Sequence, residues 1–281
     1  MRIRYVVSTM VFWWREHTLS FEQECQFLKS LGFGVELWPN IRGHKECRYE
    51  KRNWPRLVTA TEGMLVSMRS RTDQPNIEQW AEQIECAKML NANIVADLQS
   101  LHIDLNAEPG PIKPSRKHRD RHVEVNCDFA AEVVEMAQSS KVELCLETGL
   151  LPTLKKVGEK FESLRFCLDT GHANIDREFT FKQYVDELTP RVTHLHLTDN
   201  CGQIDDHEPP GVPGGMSREN WDYLLRALTK YDNDVIGSFE MCPCTPGVMI
   251  YQAGQFLFDV LKWPDQPRQQ PSPVDMIYNP T

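Results

Sequence analysis

At 281 residues, with a net charge of −9 and 41% hydrophobic residues, the chain is long enough for one barrel-sized domain with a large buried core. The acidic balance, with no basic run beyond the interrupted cluster from Lys113 to His122, argues against a nucleic-acid backbone as partner. No stretch has the form of a membrane span or signal peptide, so a cytoplasmic protein with no membrane partner is expected.

Strand-like and helix-like patterns alternate from the start. Ile3–Ser8 predicts a first strand, followed by Trp13 and Trp14. The helix expected over Phe21–Leu31 has Ser20 as its cap and Gly32 after its last turn. Gly34–Trp38 predicts strand 2, and Pro55–Thr61 the next helix. Strand 3 is expected over Met64–Met68; Arg69 and Arg71, just past it, could meet an anionic substrate group, with a solvated loop the favoured reading. Asn76 caps a helix over Ile77–Leu90 whose apolar positions fall three and four apart. Strand 4 is expected over Asn93–Leu98, then a long loop from Gln99 to Asp120, then a helix over Val123–Gln138. Val142–Glu147, Phe166–Asp169, Val192–Leu197 and Val235–Phe239 predict strands 5 to 8. Between and after them, helices are expected over Pro152–Phe161, Phe181–Leu188, Arg218–Lys230 and Val248–Leu261, with Ser217 as a cap. A second long loop runs from Asn200 to Met216, and long loops in compact domains are commonly functional.

Eight strands and eight helices at a repeat of about 30 residues predict an α/β chain forming a (β/α)8 TIM barrel. The barrel is expected over residues 1–262, with a proline-rich, extended C-terminal tail over 263–281. Nine scattered cysteines suggest buried free thiols, not a disulfide framework. Cys242 and Cys244, around Pro243, read as loop packing.

Four of these strands end on residues of metal-ligand type: Glu147 in VELCLETG, Asp169 in RFCLDTGH, His196 in VTHLHLTD and Glu240 in VIGSFEMC. In a parallel barrel, such strand ends converge at one mouth. By the alternation of a strand, Glu147 shares a face with Cys145, Asp169 with Cys167, His196 with His194 and Glu240 with Ser238. Three carboxylates and one imidazole suit one divalent ion such as Mn²⁺, Mg²⁺, Co²⁺ or Zn²⁺. Buried carboxylates need a partner charge, which favours the set acting together. Trp14 and Trp38, following strands 1 and 2, are candidates to offer a substrate an aromatic face at the mouth. Glu36 is expected to hold an arginine or a substrate hydroxyl. His194 reads as a supporting or core histidine, and Asp199 as an anchor for the loop after strand 7.

The order LETG, LDTGH, HLHLTD, DDHEPPGVPGG and SFE, over about residues 1–262, resembles the xylose isomerase-like barrel superfamily of sugar phosphate isomerases and epimerases. The resemblance implies metal ligands at Glu147, Asp169, His196 and Glu240. It implies a substrate or further-metal contact at His172, and an Asp-x-His pair at Asp205 and His207. The superfamily's apurinic endonucleases need histidines at the ends of strands 3 and 4. The chain has MLVSMRS and NIVADLQS there, with His102 several residues late, which argues against phosphodiester cleavage.

The expected activity is a divalent-metal-dependent isomerase or epimerase acting on a small-molecule sugar or keto-sugar. The reaction would pass through a metal-stabilised enediolate. Glu147 and Glu240 would act as acid and base, and His172 would stabilise the oxyanion. Two alternatives stand beside it. One is a lyase of the inosose dehydratase kind or an enzyme cleaving 3-keto-glycosides; the other is a non-catalytic barrel subunit. The sequence leaves a homo-oligomer open.

Overall fold

The computed structural model describes residues 1–15, 19–39, 47–70, 76–98, 116–241 and 246–264. Eight parallel strands close into a barrel in chain order: β1 (Arg2–Ser8), β2 (Gly34–Leu37), β3 (Val66–Arg69), β4 (Asn93–Ala96), β5 (Leu144–Glu147), β6 (Arg165–Asp169), β7 (Val192–His196) and β8 (Asp234–Phe239). β1 closes the ring on β8, with Arg2 opposite Asp234 and Val7 opposite Phe239. The helices are α1 (Phe21–Ser30), α2 (Trp54–Thr61), α3 (Ile77–Leu90), α4 (Arg116–Ser140), α5 (Leu151–Lys160), α6 (Thr170–Ile175), α7 (Phe181–Leu188), α8 (Arg218–Tyr231) and α9 (Pro246–Gly254). The wall continues beyond α9 as a wider π-type turn over Gln255–Val260.

The expected caps are in place. The Ser20 side chain accepts from the Gln23 amide while Gln23 reaches back to Ser20. Asn76 and Gln79 do the same for α3, and Ser217 accepts from the Asn220 amide. Each arrangement satisfies amide donors that a helix start leaves open.

Several elements depart from the sequence expectation, three of them near the mouth. α4 starts at Arg116, well before Val123. α6 was not expected at all; it forms because the Asp169 carboxylate caps it. β3 runs through Arg69 and does not stop at Met68, which moves Arg69 from a loop onto the barrel wall.

Two apolar regions follow from strand alternation. Outward-facing residues such as Ile3, Tyr5, Leu146 and Leu168 join the helices in one continuous core. Inward-facing Val95, Cys145 and Cys167 form a small separate cluster on the barrel axis. All seven cysteines among the described residues are free thiols; Cys242 and Cys244 lie outside them. No helix of the described residues is long and apolar enough to cross a membrane. Trp263 packs on Trp221 with ring centroids 5.9 Å apart, and Tyr5 donates to the Pro264 carbonyl. The chain is therefore still fastened to the barrel at residue 264; the tail over 265–281 lies outside the described residues.

Candidate metal centre

The back half of the barrel brings its four strand-end residues together. Glu147, Asp169, His196 and Glu240 each offer a ligand atom, and these atoms all lie within 4.8 Å of one another. All four are buried. His196 sits between the carboxylates. Its Nδ1 is 2.5 Å from Glu147 Oε1, 3.1 Å from Glu240 Oε2 and 3.5 Å from Asp169 Oδ2.

The threonines and glycines of the motifs hold these residues in position. Thr148 accepts from the Asp169 amide and donates to the Cys167 carbonyl. Thr170 donates to the carbonyls of His196 and Thr198. Each hydroxyl thus ties one strand end to the next. At Gly171 a β-carbon would come within 2.8 Å of Thr198 and 2.9 Å of Asn200, so only glycine lets the chain turn into α6 there.

Asp169 divides its two oxygens. Oδ1 accepts from the His172 amide at 2.7 Å. Oδ2 is buried, with no hydrogen-bond donor. A buried carboxylate oxygen without a donor, beside two other carboxylates and an imidazole, fits a hard divalent cation. The three-oxygen, one-nitrogen set suits Mn²⁺, Mg²⁺, Co²⁺ or Zn²⁺.

Electrostatics follow from this crowding. Burial raises the Glu147 and Asp169 carboxyls, but neighbouring cations override it and hold both at about 2: Arg69 and His196 for Glu147, His172 and His196 for Asp169. Glu240 is lowered for the same reason, chiefly by His196 against the cost of burial. His196 is raised well above its ordinary value: burial opposes its charge, and Cys167 together with Glu240, Glu36 and Glu147 outweighs that.

Glu36 lies beneath the centre, fully buried. Its Oε2 is 3.3 Å from His196 Nε2 and 2.9 Å from His194 Nε2. It also accepts from Ser67 and Ser238. Buried serines and histidines thus surround the oxygens of Glu36, the residue expected to hold an arginine or a substrate hydroxyl. A carboxylate on Nε2 keeps the proton there and leaves Nδ1 free to bind a metal. His194 is the supporting histidine that the sequence suggested; its Nδ1 lies 3.1 Å from Asn93 Nδ2.

Arg69, for which the sequence favours a solvated loop over a substrate contact, lies in the barrel interior. It is 4% exposed, and its Nη2 bonds Asp97 Oδ1 at 2.7 Å and Glu147 Oε2 at 2.5 Å. Its Nε is 3.8 Å from Glu240 Oε1. Strand alternation puts Ser67 and Arg69 on one inward face, a signal that became readable only once the strand end moved by one residue. β3 and β4 are thus followed at the mouth by an arginine and an aspartate, not by histidines.

The rim carries the remaining candidates. His172 Nδ1 donates to the Thr148 carbonyl at 3.2 Å, and its Nε2 faces Asp205 at 3.0 Å. His207 Nε2 lies 3.2 Å from the same Asp205 oxygen, and its Nδ1 is 3.2 Å from the Glu240 carbonyl. Burial lowers both histidines, but Asp169 and Asp205 for His172, and Asp205 and Glu240 for His207, push them up to about 11 and about 9. The loop carrying Asp205 and His207 is anchored by Asp199, which accepts from the amides of Asn200, Gly211 and Met216. Trp38 is half-buried, and its indole N–H donates to Glu240 Oε1 at 3.2 Å. The side chain of Trp14, with Arg71 and His102, lies outside the described residues.

A closed eight-stranded parallel barrel, with three carboxylates and a histidine gathered where its strands end, defines the class. Residues 47–255 match the family model described as xylose isomerase-like TIM barrel, and the chain belongs to that family. Among solved structures it is similar to a D-tagatose 3-epimerase-like protein, with TM-score 0.70 and 17% identity over 92% of this chain and 97% of the other. It is also similar to the 3-keto-D-glucoside 4-epimerase of E. coli, with TM-score 0.63 and 12% identity over 93% and 99%. A sugar phosphate isomerase/epimerase from Parabacteroides distasonis gives TM-score 0.64 and 9% identity over 92% and 94%. A comparison with curated proteins found no match. At these identities the structural likeness establishes the fold.

Proposed function

We propose that the protein is a divalent-metal-dependent isomerase or epimerase of a sugar or keto-sugar. The convergence of Glu147, Asp169, His196 and Glu240 within 4.8 Å at the strand-end mouth carries this reading. The sugar epimerases among its structural neighbours support it.

A bound divalent cation would polarise adjacent substrate oxygens and make the neighbouring C–H acidic. The remaining work falls to side chains. Glu147 and Glu240 come from different strands, so one can take the proton from one face of the carbon while the other returns it on the opposite face. Nearby cations favour the ionised form of each in the free site, which is the form the abstracting glutamate needs; the returning one must carry a proton before it delivers it. His172, with Asp205 and His207, stands at the rim as a donor to a substrate oxygen. Trp38 offers a partly exposed aromatic face for the ring.

The test is deuterium incorporation. Protein loaded with Mn²⁺ and incubated in D₂O with D-tagatose, D-psicose or D-fructose should label the carbon next to the carbonyl without loss of water. Loss of water instead would mark a lyase. A chain with no bound metal and a melting temperature unmoved by Mn²⁺ would point to a non-catalytic barrel, because binding to the native state must stabilise it. The acidic balance and the arginine at the end of β3 also lead us to expect no cleavage of abasic DNA.

A further inference from the structure

Among the described residues, Arg69 is a strand-end residue at the mouth whose donors are left over. Its Nη2 is fixed by Asp97 and Glu147. Its Nε and Nη1 are buried and have no hydrogen-bond partner among the described residues; Glu240 Oε1 lies 3.8 Å from Nε. Unsatisfied N–H groups of a buried charged side chain are costly, and native proteins seldom keep them without a partner to receive them. The Trp38 ring lies 5.7 Å from the guanidinium carbon, so the group is held on its side as well as at its end.

The acceptor these donors fit is narrowly defined. It must reach the space between Glu147 and Glu240, the two groups proposed to move the proton. A guanidinium does not give up its proton in proteins, so it remains a donor throughout a reaction. Its hydrogen bonds strengthen when the acceptor becomes charged. Because it is already oriented by Asp97 and Glu147, it needs no rearrangement as that charge appears.

We propose that Arg69 is a substrate-binding residue whose Nε–H takes the sugar oxygen on which negative charge builds as the adjacent carbon loses its proton. This rests on the isomerase or epimerase reading and adds to it a fixed cation, separate from the metal ligands. The site then holds the developing charge from two sides.

The test uses glycolohydroxamate, a planar analogue of the charged oxygen pair of a deprotonated ketose, titrated calorimetrically into the full-length chain with excess Mg²⁺. Arg69→Gln should weaken its binding about tenfold or more, the scale of losing a hydrogen bond to a charged group. Arg69→Lys, which keeps the charge but not the forked donors, should fall between. Affinity for Mn²⁺ alone should change less than about threefold in either variant, a difference below about 0.7 kcal/mol. Unchanged hydroxamate binding in Arg69→Gln overturns the proposal. So does a loss matched by an equal loss of Mn²⁺ affinity, which would make Arg69 only a support for Glu147. Should Arg69→Gln not fold, nuclear magnetic resonance of the wild-type arginine Nε–H groups decides. The signal absent from Arg69→Lys should shift on adding glycolohydroxamate, and a fixed signal overturns the assignment. Deuterium exchange into ketoses separates the two readings. Exchange without Arg69-dependent binding removes the Arg69 assignment alone, while Arg69-dependent binding without exchange supports it and removes the ketose reading.

Discussion

The two halves of the barrel contribute differently to one mouth. β5 to β8 deliver Glu147, Asp169, His196 and Glu240, each able to bind a cation directly. β1 to β4 deliver Glu36, Ser67 and Arg69, which act on those residues: Glu36 and Ser67 beneath His196, Arg69 beside Glu147. A ligand-type residue at a strand end declares itself in one segment. A supporting residue is defined by its partner, and ring closure brings that partner from distant sequence.

Substitutions can break or sharpen this division. The largest effect is expected in the back half. Glu147→Gln and Glu240→Gln should each lower turnover by about 10²–10⁴-fold, the usual worth of an acid or base group, measured as kcat for deuterium exchange. Near-normal turnover in either would end the two-glutamate scheme. In the front half, Glu36→Gln should lower Mn²⁺ affinity by about 10–100-fold through loss of the acceptor on His196 Nε2, read by calorimetry. An unchanged affinity would show that the front half is scaffold only.

Gly34→Ala tests the scaffold itself. A β-carbon there would run into the Leu65 carbonyl oxygen and come within 2.9 Å of Val6. It should cost about 1–3 kcal/mol of unfolding free energy by chemical denaturation. The smallest effect is expected away from the mouth, at the Glu22–Arg56 pair, whose contact is 2.8 Å. The Arg56 hydrogen bond lowers the Glu22 carboxyl from 4.5 to about 2. Its stabilisation is therefore present above about pH 4.5 and lost as pH falls towards 2. Because Glu22 is 41% exposed, solvent screening limits this to under about 1 kcal/mol, so Glu22→Gln should barely move a denaturation midpoint at pH 7.

The fold was legible because its signals are local. Apolar runs, the Ser20, Asn76 and Ser217 caps and the long connection after strand 7 all lie within a few residues of what they specify. The four converging ligand-type residues were legible for the same reason. Arg69 was not, because the strand pattern faded at Met68 and an arginine beyond an apolar run reads as solvated. Only the Asp97 and Glu147 carboxylates, 28 and 78 residues away in sequence, make it an interior residue. The surroundings of Glu36 were not legible either: Ser67, His194, His196 and Ser238 reach it from three other strands. α6 was hidden because its cap, Asp169, is also a site residue.

That shared cap links local backbone order to chemistry at the mouth. One oxygen of Asp169 holds the His172 amide while the other faces His196. A tug on the carboxylate from the mouth is therefore felt as a change in how tightly that amide is shielded. Its hydrogen–deuterium exchange rate should report occupancy of the mouth whatever ligand fills it.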